Sequence, residues 1–402
     1  MPGLKEAKMS SKAAPLHHKF FTPNVFILFS FMAFGVLFAY FRFFEGFGSV
    51  TNLNPGYPFG LWIAFDVACG VALAAGGFTT AAIVEIFGRD QYHSLVRPAI
   101  LTAFIGYFLV GLAVFFDLGK YWNIWHALVY WNGTSVMFEV AWCVMLYLTV
   151  LGIENVPNVV EQYKDNVNLP GPLARLNGVV NWFLHRAEWF CNRTIGFFVI
   201  AGVVLSFGHQ SSLGTMMLIA PYKLHELWYT PMSPLLFLTS AVSVGIPMVI
   251  FEGTLATKFF NRKPETELLS RFARYIPLFL GTYLLLRVGD LAYRGVLPSA
   301  FDGSLEGNAF LLEFALFAVP YFMLKQRRVR KNATLLFLCA LSVIIAVVLN
   351  RFNVFIIGMD MGPEWSYFPT VGEFGVTFAF LAFGVLLYKI GVNYLPILEE
   401  QH

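Results

Sequence analysis

The stretch TIGFFVIAGVVLSFGHQSSLGTMML, residues 194–218, opens as an unbroken apolar run and closes on His209, Gln210, Ser211 and Ser212 in direct succession. No residue from Thr194 to Leu205 carries an ionisable side chain. A run that is apolar on every face belongs in a large core or in lipid. Composition decides between the two. The 402-residue chain is 57% hydrophobic, 17% aromatic and 13% charged, with a mean hydropathy of +0.65. A soluble domain carries about 45–50% apolar and about 25% charged residues, so the solvent of this chain is largely lipid. The run is then a membrane span expected to end near residue 208. The polar quartet after it is either a loop leaving the membrane or the wall of a site.

A membrane helix needs about 20 mostly apolar residues. Such runs lie near residues 23–41, 59–87, 98–116, 134–153, 194–208, 233–251, 275–293, 309–324, 332–350 and 372–390. Lipid offers backbone groups no water partner, so the spans are helices. The expected fold class is an all-α membrane protein of about ten transmembrane helices. Lys and Arg set the orientation. One side carries Lys5, Lys8, Lys12 and Lys19, GRDQYHSLVR (88–97), the 154–193 loop with Lys164, Arg175, Arg186 and Arg193, KFFNRKPETELLSRFAR (258–274), KQRRVRK (325–331) and Lys389. The other side carries Arg42, Lys120, Lys223, Arg294 and Arg351. The split is roughly four to one, which places both termini in the cytoplasm. It also accounts for the net charge of +3 without nucleic acid. The basic start runs straight into a full-length apolar segment with no small-residue cleavage site, so no cleavable signal peptide is expected.

The chain carries an internal similarity. GYFLVGLAVFFDLGKY resembles GTYLLLRVGDLAYR, pairing Asp117 with Asp290, and SVMFEVA resembles AFLLEFA, pairing Glu139 with Glu313, at an offset near 173 residues. Unless this is chance likeness of apolar helices, two four-helix bundles of the same orientation stand side by side. The expected divisions are 1–57 (tail, first helix and outer loop), 58–230 (first bundle, holding the site), 231–350 (second bundle) and 351–402 (outer loop and last helix).

An ionisable residue at a helix centre costs about 2.5–3.5 kcal/mol on insertion scales and needs a reason. Asp66, Asp117, Glu139, Arg287, Asp290, Glu313 and His209 fall in the outer half, Tyr107 near mid-membrane, and Glu85 and Glu252 at inner helix ends. Arg287 can pair with Asp290 or Glu313 inside a bundle. Glu139, in an apolar setting, suits a proton relay or a hydrogen bond to a neighbouring helix. Glu252 is either a solvated helix end paired with Lys258 or the start of a proton path. Tyr107 passes a proton or packs. Cys69, Cys143, Cys191 and Cys339 form no cluster, so neither a zinc nor an iron–sulfur site is expected, and they read as small apolar residues. Of the eight histidines, all but His209 are expected in tails or loops. A b-type haem held by two facing histidines is therefore not expected. An electron can then reside here only on a dissociable carrier. A quinone headgroup needs donors for two carbonyls and takes up protons on reduction, and His, Tyr and carboxyl groups supply both.

NPGYPFGLWIAFDV, QYHSLVRPAILTAFIGY, DLGKYWN, SVMFEVA, HQSSLGTMM, YKLHELW, VIFEGTL and YFPTVGE run in order over nearly the whole chain. In these motifs the sequence resembles the polysulfide reductase/NrfD family of quinone-interacting membrane subunits, and more closely its HybB-type members from periplasmic hydrogenase-2 complexes. The resemblance implies two four-helix bundles with flanking helices. It implies a menaquinone or other quinone near the outer end of one bundle, with no haem. Electrons would be exchanged with a ferredoxin-like iron–sulfur partner on the outer face, fed by a catalytic redox subunit. Tyr107, Glu139, His209 and Glu252 match the family's proton-transfer positions. His209, Asp66, Asp117 and Glu139 are the residues expected around the quinone. The membrane would be the cytoplasmic membrane of a bacterium or archaeon. A nickel–iron hydrogenase complex is the foremost setting, with a sulfite-reductase-associated (Dsr-type) or multihaem cytochrome menaquinol complex as the alternative. Two other classes stay open: a proton or ion transporter, and a passive anchor. The first is disfavoured because the repeat keeps one orientation and no helix is broken at mid-membrane. The second has no use for acids placed along a depth ladder.

Overall fold

A computed structural model describes residues 13–219 and 221–400. Lys5, Lys8, Lys12 and His402 lie outside the described residues. Among the described residues, ten helices are long and apolar enough to span a membrane: α1 Pro23–Phe44, α2 Trp62–Ile86, α3 Asp90–Asp117, α4 Val136–Tyr163, α5 Gly171–Ile219, α6 Ser233–Phe259, α7 Thr266–Arg294, α8 Leu305–Lys325, α9 Ala333–Ile357 and α10 Val371–Tyr394. The chain is an all-α multi-pass membrane protein. Among the described residues, extended pairing is limited to two isolated bridges, Ala13 with Glu399 and Leu224 with Met359. The first of these brings the two ends of the described chain together at the basic end of the molecule.

Local sequence explains where helices start. Ser135, Ser304 and Asn332 cap α4, α8 and α9 by accepting from backbone N–H groups of the first turn. Thr370 and Glu373 form a reciprocal capping box on α10, which satisfies two of the donors that every helix start leaves open. Helix α2 is interrupted by π-helical turns at Trp62–Cys69 and Ala82–Ile86, which hold Asp66 and Glu85. Such turns occur disproportionately at functional sites.

Helices α2, α3, α4 and α5 contact one another in a closed ring, and α6, α7, α8 and α9 close a second. The rings meet where α2 and α5 contact α6 and where α2 contacts α9, while α1 rides on α10, which leans on α3. The joint between the rings relies on small side chains. A Cβ placed on Gly245 of α6 would clash with the Thr79 hydroxyl and lie 3.0 Å from the Ala75 carbonyl oxygen on α2. Leucine at 245 is therefore expected to force α2 and α6 apart at a cost of about 1–3 kcal/mol. The check is a lower melting transition for Gly245→Leu than for Gly196→Leu, where an added Cβ meets nothing within 4 Å.

Two sequence expectations change. The fifth span does not end near 208, and the polar quartet is not a loop. Residues Asn177–Met216 are one 40-residue α-helix, about 60 Å long and twice the thickness of a hydrocarbon core of about 30 Å. Most of the expected 154–193 loop is helix as well, because α4 continues to Tyr163 and α5 begins at Gly171. His185 accordingly lies on a helix. Hydropathy marked where lipid ends, and the backbone kept its helix beyond that point. The second change concerns Arg42 and Arg351, which the charge count treated as scattered outer cations. They are 2% and 0% exposed. Arg42 donates to the carbonyl oxygens of Phe116 and Leu118 at 2.8 and 2.5 Å. Arg351 donates to Ser240 at 3.0 Å and covers the Phe237 ring at 3.8 Å.

Candidate functional site

The continuous helix α5 turns the polar quartet of the opening stretch into a helix surface. His209, Gln210 and Ser212 are buried, and Ser211 faces outward to bond its own helix at the Phe207 carbonyl. His209 Nδ1 lies 3.2 Å from the Tyr107 hydroxyl of α3. The Tyr107 ring meets the Tyr147 ring of α4 edge to face, with centroids 4.5 Å apart. Three helices of the first ring thus converge on one histidine. Gln210 donates its amide N–H to the Val71 carbonyl oxygen of α2 at 2.9 Å, which fixes the rotation of α5 against the fourth helix. His209 Nε2, Gln210 Oε1 and Ser206 Oγ are buried and have no partner among the described residues. Buried polar atoms are nearly always satisfied, so such a group of orphans marks a place for a water or a ligand.

One turn beyond His209, the Ser212 hydroxyl donates to the Glu139 carboxylate of α4 at 2.6 Å. Glu139 is not in the apolar interior that its neighbours in sequence imply: it is exposed on the bundle flank. It sits in the first turn of α4, where the free N–H groups favour negative charge, and it projects outward from that turn. Ser212 is thus a buried bridge between an exposed carboxylate and the turn that carries His209.

The other expected residues lie elsewhere. Asp66 accepts from Thr377 of α10 at 2.7 Å. Asp117 ends α3 near Arg42 and Glu373, and its Oδ1 has no partner. Asp66 and Asp117 therefore belong to a second cluster against α1 and α10, while Glu139 and His209 share the α3–α4–α5 face. Sequence reading missed Glu373 in that cluster. It accepts from the Thr370 and Asn52 backbone N–H groups and from the Tyr367 hydroxyl. The T-x-x-E spacing of its capping box was the available signal.

Glu252 sits near the basic end of α6 and lines a cavity of about 40 Å³ with Tyr388 and Arg262, room for roughly one or two waters. It faces Thr102 of α3 and Tyr388 of α10 rather than Lys258. Glu252 Oε1 and both of those hydroxyls lack partners. Glu252 is thus on the α3 side of the molecule but has no direct contact with Tyr107.

Arg287 pairs with neither expected acid. Asp290 is taken by Arg294 at 2.8 Å and by the Thr230 hydroxyl at 2.6 Å. Glu313 accepts from Trp228 Nε1, Asn350 and Asn353 at 3.1, 2.8 and 2.7 Å. Arg287 lies over the Phe310 ring, 5.2 Å from its centroid. Arg294, four residues on, takes Asp290, although Arg287, three residues before it, is also spaced for a same-face pair.

Among the described residues His209 is the only buried histidine, and no group of three or more His, Cys, Asp or Glu side chains is disposed to hold a metal.

Comparison with known proteins adds a family. Residues 49–361 match the family described as polysulphide reductase, NrfD. The chain is similar to the probable Ni/Fe-hydrogenase 2 b-type cytochrome subunit of Escherichia coli (strain K12), at 35% identity over 97% of this chain and 96% of that one. It is similar to the integral membrane subunit of a menaquinone reductase from Nitratidesulfovibrio vulgaris, at 28% identity over 93% of this chain and 91% of that one. It is also similar to a selenate reductase subunit of Mesobacillus selenatarsenatis, at 23% identity over 94% of each chain.

Proposed function

The chain belongs to the polysulphide reductase (NrfD) family, and from that membership we propose that it is the quinone-handling membrane subunit of a respiratory redox complex. The observation that carries the reading is the buried Tyr107–His209 pair with its open Nε2, one helical turn from the Ser212–Glu139 contact. These residues fit a quinone headgroup: the orphaned imidazole nitrogen and the Gln210 and Ser206 oxygens leave donor and acceptor capacity unspent. When bound, a quinone supplies two-electron, two-proton redox chemistry. His209 holds a hydrogen bond to it and delivers or accepts a proton. Tyr107 fixes the imidazole through Nδ1 and renews its proton. Glu139 exchanges protons at the flank through Ser212. Asp66 and Asp117 line the outer approach from the α10 side, and Glu252 exchanges protons with the basic end from its own cavity.

The positive-inside rule places that basic end in the cytoplasm, so His209 and Glu139 work toward the outer face. The partner there is a ferredoxin-like iron–sulfur protein that passes electrons to or from a catalytic subunit. The E. coli relative favours a nickel–iron hydrogenase as that subunit. The menaquinone reductase and selenate reductase relatives favour the same membrane role beside a different one. The b-type cytochrome in the first relative's name implies haem. One buried histidine does not make the facing pair such a haem needs, and we assign electron carriage to quinone, in the cytoplasmic membrane of a bacterium or archaeon.

The test is photolabelling of the intact complex with an azido-naphthoquinone. Labelling is expected on α4 or α5, reversed by excess menaquinone; labelling confined to other subunits overturns the reading. A second check is Glu139→Gln. The complex should assemble normally while turnover of a short-chain naphthoquinone falls about tenfold, equivalent to about 1.4 kcal/mol of barrier. Wild-type turnover in that variant removes Glu139 from the proton path.

A further inference from the structure

Helix α4 carries an acid that the loop expectation for 154–193 concealed. Glu154 is 9% exposed, inside the first ring, with no hydrogen bond from any described residue. A carboxyl taken out of water without a partner is costly and needs a reason. Its position supplies one. Glu154 Oε1 and the edge of the Tyr147 ring converge over Gly202 of α5, 3.1 and 3.4 Å from where a Cβ on that glycine would be. Tyr147 and Glu154 are seven residues apart on α4, two turns along one face. Tyr147 in turn meets Tyr107, and Tyr107 meets His209.

Unpartnered polar atoms lie beside this line among the described residues. Ser206 of α5 faces both tyrosine hydroxyls, and its Oγ has no partner of full hydrogen-bond geometry among the described residues. Asn155 and Asn158 are buried next to Glu154, and Asn155 Oδ1 has no partner. Each such orphan keeps hydrogen-bonding capacity that an ordered water meets. At the basic end, Glu85 projects from the π-helical turn of α2, exposed, near Glu154 and 3.9 Å from His93. An exposed acid, a buried acid, two tyrosines and a histidine thus succeed one another through a single ring of helices. Glu252 lies outside this line, in its own cavity between α6, α10 and the start of α3.

We propose that protons reach His209 from the basic end through Glu85 and Glu154, with Glu154 as the internal loading site and Tyr147, Ser206 and Tyr107 forming the conduit. In each transfer the Tyr107 hydroxyl gives its proton to His209 Nδ1 and is reprotonated from the Tyr147 hydroxyl by way of Ser206, and the Glu154 carboxyl in turn reprotonates Tyr147. The exposed Glu85 then restores the Glu154 proton. The assignment rests on His209 being the quinone contact.

The experiment uses the intact complex in vesicles with a pH dye inside, selecting molecules whose basic end faces the lumen. Reduced benzyl viologen is the electron donor and a short-chain naphthoquinone the acceptor. Glu154→Gln is expected to lower turnover at least tenfold and abolish lumenal proton uptake. Glu154→Asp should restore both in part, which a merely structural role would not produce. Glu161→Gln, two turns further along α4 and ion-paired at the surface with Arg97, should leave uptake unchanged. Tyr147→Phe keeps the packing ring and should slow uptake on its own, so an assembly failure of Glu154→Gln still leaves the conduit open to refutation. Wild-type uptake and turnover in Glu154→Gln, or in Tyr147→Phe should Glu154→Gln fail to assemble, overturn the proposal while the quinone reading stands. Absence of naphthoquinone turnover in the wild-type complex overturns the quinone reading itself.

Discussion

His209→Leu is expected to lower naphthoquinone turnover by on the order of 1,000-fold while the complex assembles with its full set of partners. A positioned acid–base group contributes about 100- to 10,000-fold, and the proposed function gives His209 that role together with the hydrogen bond that orients the acceptor. Assembly should survive because of what the imidazole does not hold. Its only hydrogen bond is to Tyr107, and its Nε2 is already orphaned. Leucine fills a similar space and removes one buried orphan while creating another, the Tyr107 hydroxyl, at a cost of about 1–3 kcal/mol. His209→Gln retains a donor and should recover part of the rate. Turnover is followed with reduced viologen and a naphthoquinone, and assembly by co-purification of the partner proteins. A His209→Leu complex that turns over at the wild-type rate places the quinone elsewhere, whatever the family resemblance implies.

What sequence could and could not reveal follows from the physics of each signal. The spans were legible because lipid imposes one rule on all of them: about 20 apolar residues in a helix. The end of the fifth span was misread for the same reason. Hydropathy reports the solvent, and the helix from Asn177 to Met216 crosses from water through lipid to a polar interior without breaking. The same limit ended the fourth span at 153 and began the fifth at 194, which turned the residues between into a loop and hid Glu154. The chemistry of His209 and Tyr107 was legible one residue at a time, but their contact joins positions 102 residues apart, which one sequence does not encode in any local pattern. Glu139 was placed in the interior because its neighbours are apolar, yet near a helix start the side chain's direction decides burial. Arg287 shows the same limit. Two cations, Arg287 and Arg294, stood within one turn of Asp290 on the same face, and spacing alone did not say that Arg294 takes it.

Glu313→Ala is expected to be the most destabilising single change in the chain, with loss of folded protein rather than of rate. The internal repeat pairs Glu313 with Glu139, and the two acids have opposite surroundings. Glu313 is 1% exposed and accepts three hydrogen bonds, from Trp228, Asn350 and Asn353. Its charge also faces the buried Arg351. Removing the carboxylate strands three buried donors, each at a cost of about 1–3 kcal/mol, and takes an acid from the neighbourhood of the buried Arg351. Glu313→Gln keeps the shape and one acceptor and should fall in between. Glu139 is exposed and holds only Ser212, so Glu139→Gln should melt with the wild type. The comparison is made by thermal melting of the purified proteins and by the yield of folded material from membranes. A Glu313→Ala protein that melts with the wild type would show that its three hydrogen bonds contribute little and would remove the distinction between the bundles. The predicted outcome fits the proposal that chemistry resides in one half of the repeat. The second ring saturates its acid with protein donors, which fixes the joint between α7, α8 and α9. The first ring leaves its acid, its histidine and its tyrosines with unspent hydrogen-bonding capacity, and only a group in that condition can take up or release a proton.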